Sequence, residues 1–133
     1  MIADDEPKIR QGLKSVLEEM ELPITVCAEA RNGMEALEKA GQFRPDFILI
    51  DICMPKLSGI QFLEELRKLD KNCPVIVISG FNEFSYAKQA IKLGVSEYLL
   101  KPIAEEELQA AVVKVTEEIK QKRKSEKFRI RII

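Results

Sequence analysis

The chain has 133 residues, 46% of them apolar and 32% charged, with a formal net charge of −1. That length suits one domain with a buried core, and the near-neutral balance gives no overall field toward nucleic acid or an anionic membrane. There is no histidine, which excludes imidazole acid–base catalysis, His-ligated metal and Ser-His-Asp chemistry, and no apolar run is long enough to span a bilayer.

In chain order, Ile2-Ala3 reads as the end of a first strand shortened at its start. Asp4, Asp5 and Glu6 follow almost at once, so no secretory leader is expected. Pro7 stands where a first helical turn tolerates a residue without an N–H. Ile9, Leu13, Val16, Leu17 and Met20 then recur at helical spacing. Ile24 to Ala28 predicts a short second strand, Asn32-Gly33 a turn, and Met34, Leu37 and Ala40 a second helix. Phe47 to Ile50 is a continuous apolar run, the pattern of a strand covered on both faces. Ser58-Gly59 opens a third helix with Ile60, Phe62, Leu63 and Leu66. Pro74 precedes a second buried run, Val75 to Ile78. The fourth helix is predicted from about Glu83 to Leu93, stopped by Gly94. Tyr98-Leu99-Leu100 is the fifth strand. A long helix starts near Glu105, with acidic residues in its first turn, and continues to about Arg123.

This alternation predicts a parallel α/β sheet with helices on both faces. Cys27, Cys53 and Cys73 are an odd set without metal-ligand spacing, expected as reduced, mostly buried thiols of a cytoplasmic protein.

On that frame Asp4 and Asp5 close strand one, Asp51 strand three, Ser79 strand four and Lys101 strand five. The carboxyl ends of strands in an open parallel sheet form its ligand crevice. Three carboxylates, a hydroxyl and an amine therefore converge. Clustered carboxylates repel, and the remedy is either a raised pKa or a hard divalent cation such as Mg²⁺, which takes a few carboxylate oxygens, water and phosphate oxygens. Lys101 adds a point charge suited to a phosphate oxygen. A carboxylate nucleophile, a metal and a lysine together describe an acyl-phosphate site.

Asp4-Asp5-Glu6-Pro7, the run from Asp51 to Gly59, Ile78-Ser79-Gly80 and Tyr98-Leu99-Leu100-Lys101-Pro102 resemble the response-regulator receiver domains of two-component signalling, over about Ile2 to Lys122. The resemblance implies a flavodoxin-like (βα)5 doubly wound sheet of strand order 2-1-3-4-5. It implies that Asp51 is the phosphoacceptor and shares a Mg²⁺ with Asp5 directly, with Asp4 mostly through water, and with the backbone carbonyl of Cys53. Ser79 would hydrogen-bond the phosphoryl group. Lys101 would pair with Asp51 before phosphorylation and with a phosphate oxygen after it. Lys101-Pro102 would be a cis peptide, and Tyr98 a switch aromatic that turns inward as Ser79 moves.

The donor implied is the phosphohistidine of a sensor histidine kinase, and the readout a population shift across helix four and strand five, with homodimer formation on phosphorylation. Such a chain is a regulator rather than an enzyme, one that assists its own phosphotransfer and dephosphorylation. The stretches Ser79 to Phe84 and Ala90 to Gly94 look like receivers fused to AraC-type DNA-binding domains. DNA would then be met only through an output domain outside this chain.

Other readings compete at particular residues. Asp4 and Asp5 alone would pass for a solvated N-cap pair, Ser79 for a strand-end cap, Lys101 for a surface lysine and Tyr98 for an ordinary strand aromatic. Cys53 on the rim is either a neutral filler or an influence on water access, and Phe81 either packs or shields the site. A phosphatase resembling haloacid dehalogenases needs a second Asp two residues after the nucleophile, where this chain has Cys53. A flavodoxin-like cofactor binder would set Asp4-Asp5-Glu6 against the phosphate of FMN. Residues 1–123 read as the receiver and 124–133 as a basic, apolar tail. Phe128 to Ile133 is either a linker remnant or, with its strand-like alternation, an added strand beside the shortened first one.

Overall fold

A computed structural model of the chain describes residues 1–80 and 84–127, with the backbone alone for residue 84 and residues 125–127. Its elements are β1 (Ile2–Ala3), α1 (Pro7–Glu19), β2 (Glu29–Ala30), α2 (Gly33–Phe43), β3 (Ile48–Asp51), α3 (Gly59–Leu69), β4 (Val75–Ser79), α4 (Phe84–Lys92), β5 (Glu97–Leu100) and α5 (Glu105–Lys127). The five strands form one sheet in the order β2-β1-β3-β4-β5, and every pairing is parallel. This is the doubly wound flavodoxin-like arrangement that the alternation and the resemblance led us to expect.

The sheet separates two cores because strand side chains alternate between faces. Ala3, Ile48, Ile50, Val75 and Val77 point to one side and pack with Ala36, Ala40, Phe62, Leu63, Leu66 and Ala90 of α2, α3 and α4. Ile2, Leu49, Ile76 and Ile78 point to the other and pack with Leu13, Leu17, Leu108, Ala111, Val112 and Val115 of α1 and α5. The continuous apolar runs of β3 and β4 follow directly, since both faces of those strands are covered.

Local chemistry sets the helix ends. Asn32 caps α2 by accepting the Glu35 N–H at 2.8 Å. Ser58 and Gln61 form a reciprocal capping box on α3, at 3.2 and 3.0 Å. Gly94, at φ +71°, ends α4 in the left-handed region that glycine enters without a Cβ penalty. Three glutamates occupy the first turn of α5, where they complement the helix dipole.

Arg67 ties several of these ends together. Its guanidinium donates to the carbonyls of Leu93 (2.7 Å), Gly94 (3.1 Å), Cys73 (2.8 Å) and Asp70 (3.3 Å). The C-terminal ends of α3 and α4 and the approach to β4 are thus held on one planar fork.

Several expectations change. The second strand falls at Glu29–Ala30 rather than Ile24 to Ala28. The reason is its neighbour: β2 pairs only with β1, and β1 covers two residues. Residues 24–28 keep a strand-like alternation, with Ile24 and Val26 half-buried and Thr25 and Cys27 exposed, but make no ladder there. The cysteines are free, yet only Cys73 is buried. Cys27 is exposed on that stretch, and Cys53 is exposed in the loop after β3. Helix α5 runs on to Lys127, past the expected end at Arg123. Phe81 and the segment Phe128 to Ile133 lie outside the described residues, as does the first residue of the predicted fourth helix, Glu83.

Candidate functional site

The site assembles at the carboxyl edge of the sheet. Asp4 follows β1, Asp51 is the last residue of β3, Ser79 the last of β4, and Lys101 follows β5. The register brings the ends level, since Asp51 pairs with Ile78, and Ser79 with Leu100.

Asp4 is fixed on several sides. Its N–H donates to the Ala30 carbonyl at 3.0 Å, and its own carbonyl accepts from Arg10 Nη1 at 2.7 Å. Its Oδ1 accepts the Glu6 N–H at 2.9 Å. Its Oδ2 is buried with no hydrogen-bond partner; the Lys101 ammonium, 3.7 Å away, is an ion-pair neighbour rather than a donor. Asp51 is better satisfied. Oδ1 accepts the Cys53 N–H at 3.2 Å, and Oδ2 accepts from Lys101 Nζ at 3.0 Å. Asp5 stays exposed, beside two buried carboxylates. Oxygens of Asp4, Asp5 and Asp51 lie within 4.8 Å of one another.

This crowding leaves its mark on proton affinity. Burial pushes the Asp4 carboxyl up to about 6, and the nearby Asp51 charge adds to that, against the Glu6 hydrogen bond. Asp51 is also raised, because burial outweighs the hydrogen bond and charge of Lys101. For Lys101, burial works to lower the pKa, but the hydrogen bond and charge of Asp51 prevail and raise it.

Ser79 is fully buried, and its hydroxyl donates to the Gly80 carbonyl at 3.1 Å. The Lys101 N–H donates to the Ser79 carbonyl at 2.8 Å, which couples the β4 and β5 ends. The Lys101–Pro102 peptide is cis. Tyr98 is half-buried and packs against the core cluster that includes Ala90. Between β3 and α3 the loop folds back tightly. Gly59 donates to the Ile52 carbonyl at 2.7 Å. A Cβ there would lie 2.6 Å from Ile52 Cα and 2.7 Å from the Asp51 carbonyl oxygen, so only glycine lets the loop close on the site.

All the residues expected from the sequence on this edge, Asp4, Asp5, Asp51, Cys53, Ser79, Lys101 and Pro102, are brought to it, with Tyr98 on β5 just behind. Asp4 and Asp5 are not the N-cap of α1; that position is Glu6, which makes no side-chain cap. Arg10 is the residue that no motif announced. Its acceptor at the site is a backbone carbonyl, which leaves no trace in the sequence.

The donor set fits a hard divalent cation. Three carboxylates share one small volume, one of their buried oxygens is orphaned, and a single ammonium must serve two of them. A cation bound to oxygen ligands would resolve both the repulsion and the orphan.

A family model described as the response regulator receiver domain matches residues 1–113. The chain is 35% identical over 120 residues to a transcriptional regulatory protein, YesN, of Bacillus subtilis, covering 90% of this chain and 33% of that protein. It is 36% identical over 109 residues to the transcriptional regulatory protein HptR of Staphylococcus aureus, covering 82% of this chain and 42% of that one. The chain thus spans between a third and a half of the length of these curated relatives. A crystallised REC domain of AraT, a response regulator from Geobacillus stearothermophilus, superposes with a TM-score of 0.86 at 43% identity, covering 92% of this chain and 95% of that one. Among the described residues, no helix is long and apolar enough to cross a membrane.

Proposed function

Because this chain belongs to the response-regulator receiver domain family, the phosphorylation-dependent switches of two-component systems, we propose that Asp51 is the residue that takes the phosphoryl group. The observation that carries this reading is the pairing of a buried carboxylate with Lys101 at 3.0 Å inside a cluster of two further carboxylates.

Asp5 and Asp51 would hold Mg²⁺ directly, Asp4 largely through water, and the Cys53 carbonyl would add a ligand. Bound there, the cation supplies positive charge to the oxygens of a transferring phosphoryl group. The chain's own residues do the rest by positioning. The Cys53 N–H and Lys101 orient the Asp51 carboxylate. An Asp51 oxygen attacks phosphorus, the P–N bond of a phosphohistidine donor breaks, and the electron pair leaves on the donor imidazole. Lys101 transfers its hydrogen bond from Asp51 to a phosphoryl oxygen. Ser79 turns its hydroxyl from Gly80 toward the phosphoryl group, and Tyr98 follows inward, shifting the α4–β5 face. The same geometry serves attack by water in dephosphorylation.

The donor protein on this reading is a sensor histidine kinase, and the setting is cytoplasmic. The names of YesN and HptR support a transcriptional output; on this reading it is reached through a domain beyond this chain, with homodimer formation as the step between. On this reading residues 1–123 are the receiver and 124–133 its tail, with α5 running across that boundary to Lys127. Mg²⁺-dependent labelling by a small phosphodonor tests the reading: wild-type chain should label and Asp51→Asn should not. Undiminished Mg²⁺-dependent labelling of Asp51→Asn would overturn the assignment.

A further inference from the structure

The last backbone bond from the β1 end to β2 is the Asp4 N–H to the Ala30 carbonyl, and the cation site begins at that residue. What fixes Asp4 beyond the ladder comes from α1. Arg10, with 15% of its side chain exposed, donates from Nη1 to the Asp4 carbonyl at 2.7 Å, while its Nε stands 3.6 Å from Glu29 Oε1 on β2. Glu29 is itself placed twice, by its register with Ile2 and by Lys39, whose ammonium donates to the Glu29 carbonyl at 2.5 Å. A planar fork thus links β2, the end of β1 and the first turns of α1. With its N–H, carbonyl and Oδ1 all occupied, Asp4 has only Oδ2 left, and that is the orphaned oxygen facing the cluster.

We infer that Arg10 is a positioning residue for the divalent-cation site, aiming the Asp4 carboxylate by holding its backbone carbonyl against β2. The inference rests on the cation reading given above. Its two possible contributions have opposite signs. As a nearby positive charge, Arg10 repels a cation, so deleting the charge should tighten binding. As a positioning residue, it should weaken binding when deleted, as loss of an outer-shell partner does, by about 10- to 100-fold in metal affinity.

Calorimetric titration of the full chain with MgCl₂ decides between them, without any phosphorylation step. Arg10→Met keeps the aliphatic stem over the core and removes both the charge and the hydrogen bonds. Its Mg²⁺ affinity should fall by about tenfold or more; an affinity equal to or tighter than wild type overturns the inference. Arg10→Lys provides a second arm should the methionine variant fail to fold. It keeps the charge, but a point ammonium cannot span both the Asp4 carbonyl and Glu29, so affinity should again fall, and unchanged affinity counts against positioning. If wild-type chain takes up no Mg²⁺, the cation reading itself fails, and this one with it.

Discussion

The ammonium of Lys101 lies 3.0 Å from Asp51, a residue fifty positions earlier in the chain, and 3.7 Å from Asp4. One cation from the end of β5 therefore partly neutralises two buried carboxylates from β1 and β3. Lys101→Met should lower the stability of the metal-free chain by about 1–3 kcal/mol, because Asp51 keeps its burial and loses its ionic partner. Saturating Mg²⁺ should narrow that gap, since the bound cation takes over the neutralisation. Urea unfolding with and without MgCl₂ measures both. Equal gaps in the two conditions would contradict a shared role.

Asp4→Asn should stabilise the metal-free chain at pH 7. The Asp4 carboxyl sits near 3.8 in an unfolded chain and is raised to about 6 by burial in the fold. Between those values the unfolded chain ionises first, so folding stability falls as pH rises through the window and stays low above it. Asparagine removes that charge, so the gain should be about 2–3 kcal/mol above pH 6 and should vanish below pH 4. Urea midpoints of both proteins from pH 4 to 7.5 give the test, and a gain that does not change with pH would refute the cause.

Cation binding should weaken in acid. Mg²⁺ must displace the proton that Asp4 holds below about 6, so each pH step below that value should reduce affinity, by up to about tenfold per unit. Melting temperature measured with and without MgCl₂ at pH 7.5 and 5 reads this directly. The rise produced by Mg²⁺ should shrink at the lower pH.

Arg67→Ala should destabilise the fold by about 2–4 kcal/mol, since it strips a charged donor from four carbonyls at once. Arg67→Lys should recover less than half of that, as an ammonium cannot fork among Leu93, Gly94 and Cys73. Hydrogen exchange at the end of α4 should rise in both variants, and a change spread evenly over the whole chain would argue against a local tie.

Strand and helix identity was legible wherever burial imposes a pattern. Ile48–Asp51 and Val75–Ser79 are covered on both faces, so their apolar runs could be read almost to the residue. Asp51, Ser79 and Lys101 could be placed because strand ends are easy to find and the crevice rule puts them on one edge. The second strand forms at Glu29–Ala30 for a reason of partnership: Ile24 to Ala28 has the composition of a strand, but pairing depends on how far the neighbour extends. Arg10 and Arg67 are not legible in the sequence because their hydrogen-bond acceptors are backbone carbonyls. Every residue carries a carbonyl, so nothing in the side chains distinguishes Asp4 or Leu93 as a target.

Helix α5 is long for the sheet it covers. Its 23 residues extend for about 34 Å, whereas the five residues of β4 extend for about 17 Å. Its fully buried contacts with the core lie at Leu108, Ala111, Val112 and Val115, and the partly buried Ile119 packs against the same cluster one turn on; farther along, Arg123 pairs with Asp46 at 2.5 Å between two well-exposed side chains. The helix is therefore clamped to the sheet along its first half and held more lightly along its second, by one partly buried side chain and one exposed ion pair. A tilt of about 5° about Val115 would move the backbone at Lys127 by about 1.5 Å over the remaining arm, so a repacking too small to disturb the core would reach the last turn of α5 as a displacement about the width of an atom.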